Sequence, residues 1–253
     1  MDVVTMRVEG AVRTVTLNRA EKRNALNAEM LQGLRAAFEQ PPGREERVAV
    51  LRAEGPVFCS GLDLRERLGG GAIGGASPIE AVLHAIEHYP LPVVAVVQGD
   101  AIAGGNELAL HCDFVVASTD ARFGMSLAQI GLAPTWFLAR KLLDVAGPVA
   151  TREVLLLGDP VPARRMYEWN VIARAVPPDE LATAAEAIVA RLAANAPLSL
   201  RAMKALLVRQ MQFREGIEHA DVDELVNAAR LSEDAREGIA ARLEKRAPRF
   251  AGR

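Results

Sequence analysis

Two short stretches hold the residue types best able to act on a substrate. In "GDAIAGGNELAL", residues 99–110, three glycines and two alanines precede a single glutamate, Glu107, in an apolar helical pattern. A helix starting near Gly104 or Gly105 leaves its first backbone N–H groups without intrahelical acceptors, at the positive end of the helix dipole. Glycine lets another molecule approach that backbone closely, so the Gly104 N–H can serve an oxygen that turns negative during reaction. Glu107, three residues on, projects from the first turn as an acid or base. A plainer reading has the glycines permitting close helix–strand packing, with Glu107 simply favoured near a helix N-terminus. Spacing alone leaves both open.

"AEGPVFCSGLDL", residues 53–64, places a second turn of small residues after a strand-like run, and Ser60 and Gly61 are set to present another backbone N–H. Two such donors from separate turns make an oxyanion hole, a device suited to acyl chemistry in which a thioester carbonyl becomes an enolate. Asp63 reads as the N-cap of the next helix or as a catalytic acid, the cap being the simpler role. Cys59 reads as a small core residue, since no histidine follows at a spacing that would activate it. Neither stretch has the glycine spacing of a dinucleotide or Walker-type phosphate loop.

The elements that must position these turns follow from periodicity. Residues 12–17 alternate after a glycine-containing turn, as in the second arm of a hairpin, while 47–53, 92–99 and 113–118 are short β-branched runs that read as buried strands. Helical patterns lie between them, one from an Asn27 cap, one from a Ser77 cap, and one through "GNELALHC". Alternation of this kind predicts an α/β fold with a largely parallel sheet wrapped by helices. From about Pro134 the pattern is helical at 136–145, 150–157, 162–169, 180–195, 198–212, 215–231 and 233–246, with "VIARAV" as the one further strand candidate. Leu, Ala and Met stripes on the last helices imply packing on the core or on another subunit. The chain therefore divides into a core at 1–195 and a helical oligomerisation region at 196–253. "LGGGAIGGAS", residues 68–77, reads as a mobile loop.

Composition narrows the function classes. Thirty basic residues against 32 acidic ones are interspersed, for a net charge of −2, which leaves no footprint for nucleic acid. The apolar runs fall short of the ~20 residues of a membrane helix, and no secretory leader is visible, so the cytoplasm is expected. Cys59, Cys112 and four scattered histidines suggest free thiols and no metal site. The cations of "RAEKR" (19–23) and "LRER" (64–67) flank the predicted ligand turns, either as a phosphate-binding patch or as solvated faces.

From end to end the chain resembles the crotonase, or enoyl-CoA hydratase/isomerase, family. The resemblance is carried by "TLNRAEKRNALN" (16–27), "GPVFCSGLDL" (55–64), "PVVAVVQGDAIAGGNELALHCD" (92–113), "ARFGMSLAQIGLAP" (121–134) and "SEDAREGIAARLEKRAPRF" (232–250). It implies a ββα-superhelix core, a helical C-terminal trimerisation region, often a dimer of trimers, and an acyl-CoA thioester as ligand. Coenzyme A would enter as part of the substrate, with no permanently bound cofactor. By the same resemblance the oxyanion donors fall on the backbones of Ser60 and Gly104. The pantetheine and adenine would lie along Ala25 and the Ser60, Gly61, Leu62, Asp63 turn.

One departure bears on the reaction. Hydratases of this family use two glutamates, one in the "GGxEL" helix, matched here by Glu107, and one in an "FGxPE" segment, where this chain has Ser126 and Leu127. Thr135 and Trp136 also stand where the family has small residues, so Leu127 and Trp136 join the expected acyl-binding residues, Trp136 either narrowing the pocket or filling the core. Leucine can neither give nor take a proton. The resemblance thus implies a hydratase working with one glutamate. The alternatives are an isomerase, hydrolase or decarboxylase of an acyl-CoA, or a silent acyl-CoA binder.

Overall fold

The computed structural model describes residues 2–68, 78–214 and 216–253. The glycine-rich loop and the Ser77 cap lie outside the described residues. Strands β1 (Val4–Glu9) and β2 (Val12–Leu17) form the expected hairpin, with Val4 opposite Leu17 and Glu9 opposite Val12. From β2 the sheet proceeds by parallel pairings through β3 (Val48–Ala53), β4 (Val93–Val97), β6 (Phe114–Ser118) and β9 (Arg174–Val176).

Alternate residues of these strands face opposite sides, and both sides are covered. Leu17, Leu51, Ala95 and Val97 enter the main core with Leu31 and Leu34 of α1 (Ala28–Glu39) and Val82, Leu83 and Ile86 of α3 (Pro78–Glu87). Val48, Val94 and Val116 face the other way, against Leu181, Ala185 and Leu192 of α7 (Leu181–Ala193). Two-sided burial is why the strands read as unbroken apolar runs. The Asn27 cap is present, its side chain accepting the Met30 N–H at 2.9 Å.

The second half departs from the helical expectation. A small second sheet joins β5 (Ala101–Ile102), β7 (Arg122–Gly124) and β8 (Val161–Pro162). Because Pro162 pairs with Arg122, helix α6 (Ala163–Glu168) starts one residue later than expected. Helix α5 (Trp136–Arg152) runs on past Val145, broken by non-helical Gly147 with Pro148 starting its second segment, as proline suits a first turn. It continues into a π-helical turn, Glu153–Leu157, so no separate helix covers 150–157.

Helix α8 (Pro197–Met211) is fastened to the sheet by one buried cation. Lys204 Nζ donates to the carbonyls of Ile86 (3.3 Å) and Leu91 (3.1 Å) and to Asp113 Oδ2 at 2.7 Å. Helix α9 spans Ala220–Leu231, a start later than the expected 215, and α10 spans Glu233–Glu244 with Ser232 Oγ capping the Ala235 N–H at 2.9 Å. Ala235 and Ile239 of α10 pack on Leu132. Met203, Leu206 and Leu207 of α8 and Leu225 of α9 are exposed. No described helix is long and apolar enough to cross a membrane.

Candidate active site

Since β3 and β4 are parallel neighbours, the loops leaving their C-terminal ends lie side by side. They pair as strands do: the Cys59 N–H donates to the Asp100 carbonyl at 3.1 Å and the Ile102 N–H to the Cys59 carbonyl at 2.9 Å. A methyl group on Gly105 would sit 2.2 Å from the Cys59 carbonyl oxygen, so only glycine permits the approach. The packing reading therefore holds for Gly105. Gly104 differs, because it lines a cavity.

The turn into helix α4 (Gly104–Leu110) passes through Ala103 at φ 48° and ψ −115°, a conformation usually left to glycine. It is held from both sides: its N–H donates to the Gly124 carbonyl at 2.7 Å and its carbonyl accepts the Glu107 N–H at 3.0 Å. The Gly104 N–H, first of the helix, thus has no intrahelical acceptor. Gly61, at φ +91°, brings the tip of the other turn against the Gly104 nitrogen.

The cavity has a volume of about 110 Å³. One wall comes from the two turns, with Ser60, Leu62, Gly104 and Glu107; the facing wall comes from Met125, Leu127, Ile130, Leu132, Thr135 and Leu138, and Arg230 and Arg242 of the last helices reach it too.

Several expected site residues lie elsewhere or play other parts. The Ser60 N–H donates to the Arg23 carbonyl at 3.1 Å, so it is not an open donor, although Ser60 remains in the cavity wall. The Gly61 N–H faces the Cys59 sulfur and the Asp63 N–H donates to the Leu26 carbonyl at 2.9 Å. Among the described residues, the backbone donor of this turn without an acceptor is Leu62. Trp136 does not border the cavity; its indole stacks on His219 with centroids 4.5 Å apart and planes 8° apart. Ala25, Gly61 and Asp63 stand outside the cavity wall. Asp63 accepts the Arg65 N–H at 3.1 Å as a cap and Arg19 Nη1 at 2.9 Å as an ion pair, and Arg19 also donates to the Ala25 carbonyl. Its carboxyl consequently titrates below the usual range.

Glu107 is 1% exposed, and its Oε1 has no hydrogen-bond partner among the described residues. Burial pushes its pKa up to about 8, with Glu80 adding to the rise and Lys141 opposing it. Beneath it, His111 Nδ1 lies 2.8 Å from the Glu107 carbonyl oxygen and 3.7 Å from Glu107 Oε2. Burial drives the pKa of His111 down to about 3, so the ring is neutral and the longer contact is not an ion pair. Lys141 of α5 pairs with Glu87 of α3 at 2.7 Å, both buried. His84, Glu87 and His88 bring ligand atoms within 4.8 Å of one another, but the Glu87 carboxylate is already engaged by Lys141.

A family model described as enoyl-CoA hydratase/isomerase matches residues 7–253. The chain belongs to this family. It is similar to an (E)-benzylidenesuccinyl-CoA hydratase of Thauera aromatica, 32% identical over 98% of this chain and 99% of that protein. It is also similar to a 1,2-epoxyphenylacetyl-CoA isomerase of Escherichia coli, 30% identical over the whole of both chains. The crystal structure of a carnitinyl-CoA hydratase from Mycobacterium avium superposes with a TM-score of 0.87, at 28% identity over 100% of both chains. The family assignment makes the protein an acyl-CoA-processing enzyme of hydratase-like fold. Relatives so nearly equal in identity are named for addition of water and for isomerisation, so likeness by itself does not select the reaction.

Sequence reading missed Glu80, His111 and Lys141 around this family site. His111 sits four residues from Glu107, one turn along, and that spacing was a usable signal. Glu80 and Lys141 reach the site only through the packing of α3 and α5 on α4.

Proposed function

We propose that this enzyme adds water across the double bond of a 2-enoyl-CoA thioester, with Glu107 as its acid/base. The observation that carries the reading is the buried carboxyl of Glu107, with Oε1 unpartnered, in the same cavity wall as Leu62 and Gly104. The thioester oxygen would sit between the Leu62 and Gly104 N–H groups, Leu62 replacing Ser60 as donor because the Ser60 N–H is already engaged. Ionised Glu107 takes a proton from water as the water oxygen attacks the β-carbon, and the electron pair moves to the thioester oxygen as an enolate. Collapse of the enolate draws that proton from Glu107 to the α-carbon and restores the carboxylate. A single carboxyl closes the cycle, and coenzyme A enters only as the handle of the substrate.

The handle would run along Ala25 and the turn bearing Asp63, close to Arg19 and Arg23. The exposed Met203, Leu206, Leu207 and Leu225 support assembly into a trimer or a dimer of trimers. One observation favours a second reading: Leu127 in the cavity wall holds no second carboxyl for water, and double-bond migration through the same enolate needs only one acid/base. Hydration of a short 2-enoyl-CoA, followed by loss of its conjugated absorbance, tests the proposal. Turnover that vanishes in Glu107→Gln while the variant still binds the thioester supports it. Binding without hydration in the wild type overturns it, and product analysis with a 3-enoyl-CoA then tests isomerisation.

A further inference from the structure

Two hydroxyls of the wall carrying Leu127 have built partners: Ser126 Oγ donates to the Gly158 carbonyl at 2.7 Å, and Thr135 is paired with a carboxylate. Thr135 caps α5, its Oγ1 accepting the Leu138 N–H at 3.4 Å, and the same oxygen lies 2.6 Å from Glu80 Oε1. With that carboxylate taking the hydroxyl proton, the free lone pair of Oγ1 is left to accept from a group in the cavity. A charge-assisted hydrogen bond of this length fixes the hydroxyl rotor and raises electron density on the oxygen. Thr135 replaces a residue that the family keeps small, and it stands on the wall where Leu127 supplies no carboxylate.

We propose that Thr135, held by Glu80, is the second anchor of the attacking water, the first being Glu107. This assignment rests on the hydration reading above. The water donates one proton to Glu107 and the other to Thr135 Oγ1, which leaves an oxygen lone pair for the β-carbon. Only the first proton is transferred; Thr135 orients the water while its own hydroxyl proton stays on Oγ1, donated as a hydrogen bond to Glu80. Glu80 acts through Thr135 and is a positioning residue.

Three variants test it: Thr135→Val, Thr135→Ser and Glu80→Gln, assayed for hydration of a short 2-enoyl-CoA across pH, with binding of a saturated acyl-CoA as control. Thr135→Val is expected to lower kcat about 100-fold with KM little changed, as for a misplaced reacting group, while Thr135→Ser retains most activity. Glu80→Gln is expected to lower kcat about tenfold, the smaller loss of an acceptor that no longer fixes the rotor. It also moves the acid limb of the kcat profile to lower pH. The groups facing Glu107 are His111 on its own helix, Glu80 on α3 and Lys141 on α5, with Glu87 of α3 paired to Lys141 behind them, and the variant removes one negative neighbour. Full hydration by Thr135→Val, or an unmoved acid limb in Glu80→Gln, overturns the assignment and leaves the hydration reading standing. A wild type that binds the thioester without hydrating it overturns both.

Discussion

The two walls of the cavity are built by different means. The wall of glycine turns is made of backbone against backbone, with the Cys59 and Ile102 N–H groups locking one loop to the other and Gly105 seated on a carbonyl. The facing wall, from Met125 to Leu138, presents side chains to the cavity, Leu127, Ile130, Leu132 and Thr135, while behind them Gly131 and Gly238 bring its backbone against α10. A wall of main chain offers few positions where one residue can replace another. A wall of side chains can change residue by residue while the fold stays intact, and in this chain it departs from the family's pair of glutamates. On the proposed reaction the first wall, with Leu62, Gly104 and Glu107, would hold and protonate the enolate, and the second would decide how the attacking group is placed.

The sharpest way to break this contrast is a methyl group in each wall. Gly105→Ala places a carbon 2.2 Å from a carbonyl oxygen that cannot move without parting the loops. The expected outcome is loss of the folded protein or destabilisation by ~4 kcal/mol or more, read by thermal unfolding. Leu127→Ala, by comparison, should fold and alter KM more than kcat.

Next in size is Glu107→Gln, expected to lower kcat by about 10²–10⁴-fold as the acid/base is lost, with acyl-CoA affinity kept in calorimetry. Turnover surviving that change would shift the chemistry from the first wall to the second. The same variant makes a stability prediction. A carboxyl raised from 4.5 to about 8 binds its proton more tightly in the folded state, so the wild type loses stability as pH rises across that interval. Glutamine carries no such dependence. The variant should gain on the order of a few kcal/mol relative to wild type between those limits, and parallel melting temperatures at pH 5 and pH 8 would disprove it. Smallest is Trp136→Phe, which keeps an aromatic ring on His219 and should leave KM within about twofold, since the ring does not border the cavity.

Legibility in the sequence followed the same division. Strands β3, β4 and β6 were readable because burial on both faces writes continuous β-branched runs, β2 because it alternates after a turn, and helix α1 because Asn27 writes a cap. β5, β7 and β8 were not, since two or three residues carry no period, and their pairing depends on loops meeting after the main sheet has formed. Gly104 and Glu107 could be picked out by chemistry. The choice between Ser60 and Leu62 as donor could not, because it turns on which N–H the Arg23 carbonyl happens to meet, across 37 residues of chain. Glu80 lies 27 residues before Glu107 on a separate helix, so no local pattern joins them. Trp136 misled because a helix start fixes position but not the direction in which a large ring turns.

The single ammonium of Lys204 also decides how the molecule comes apart. It ties α8 to the end of α3, the start of β4 and the start of β6, whereas α10 meets the rest through apolar side chains and the close seating of Gly238 on Ile130 and of Gly131 on Asp234. Local opening should therefore start beyond residue 211, with amides of α9 and α10 exchanging with solvent by fraying, while those near Lys204 exchange only when the sheet itself unfolds. The chain can let go of the roof over its cavity without loosening the floor.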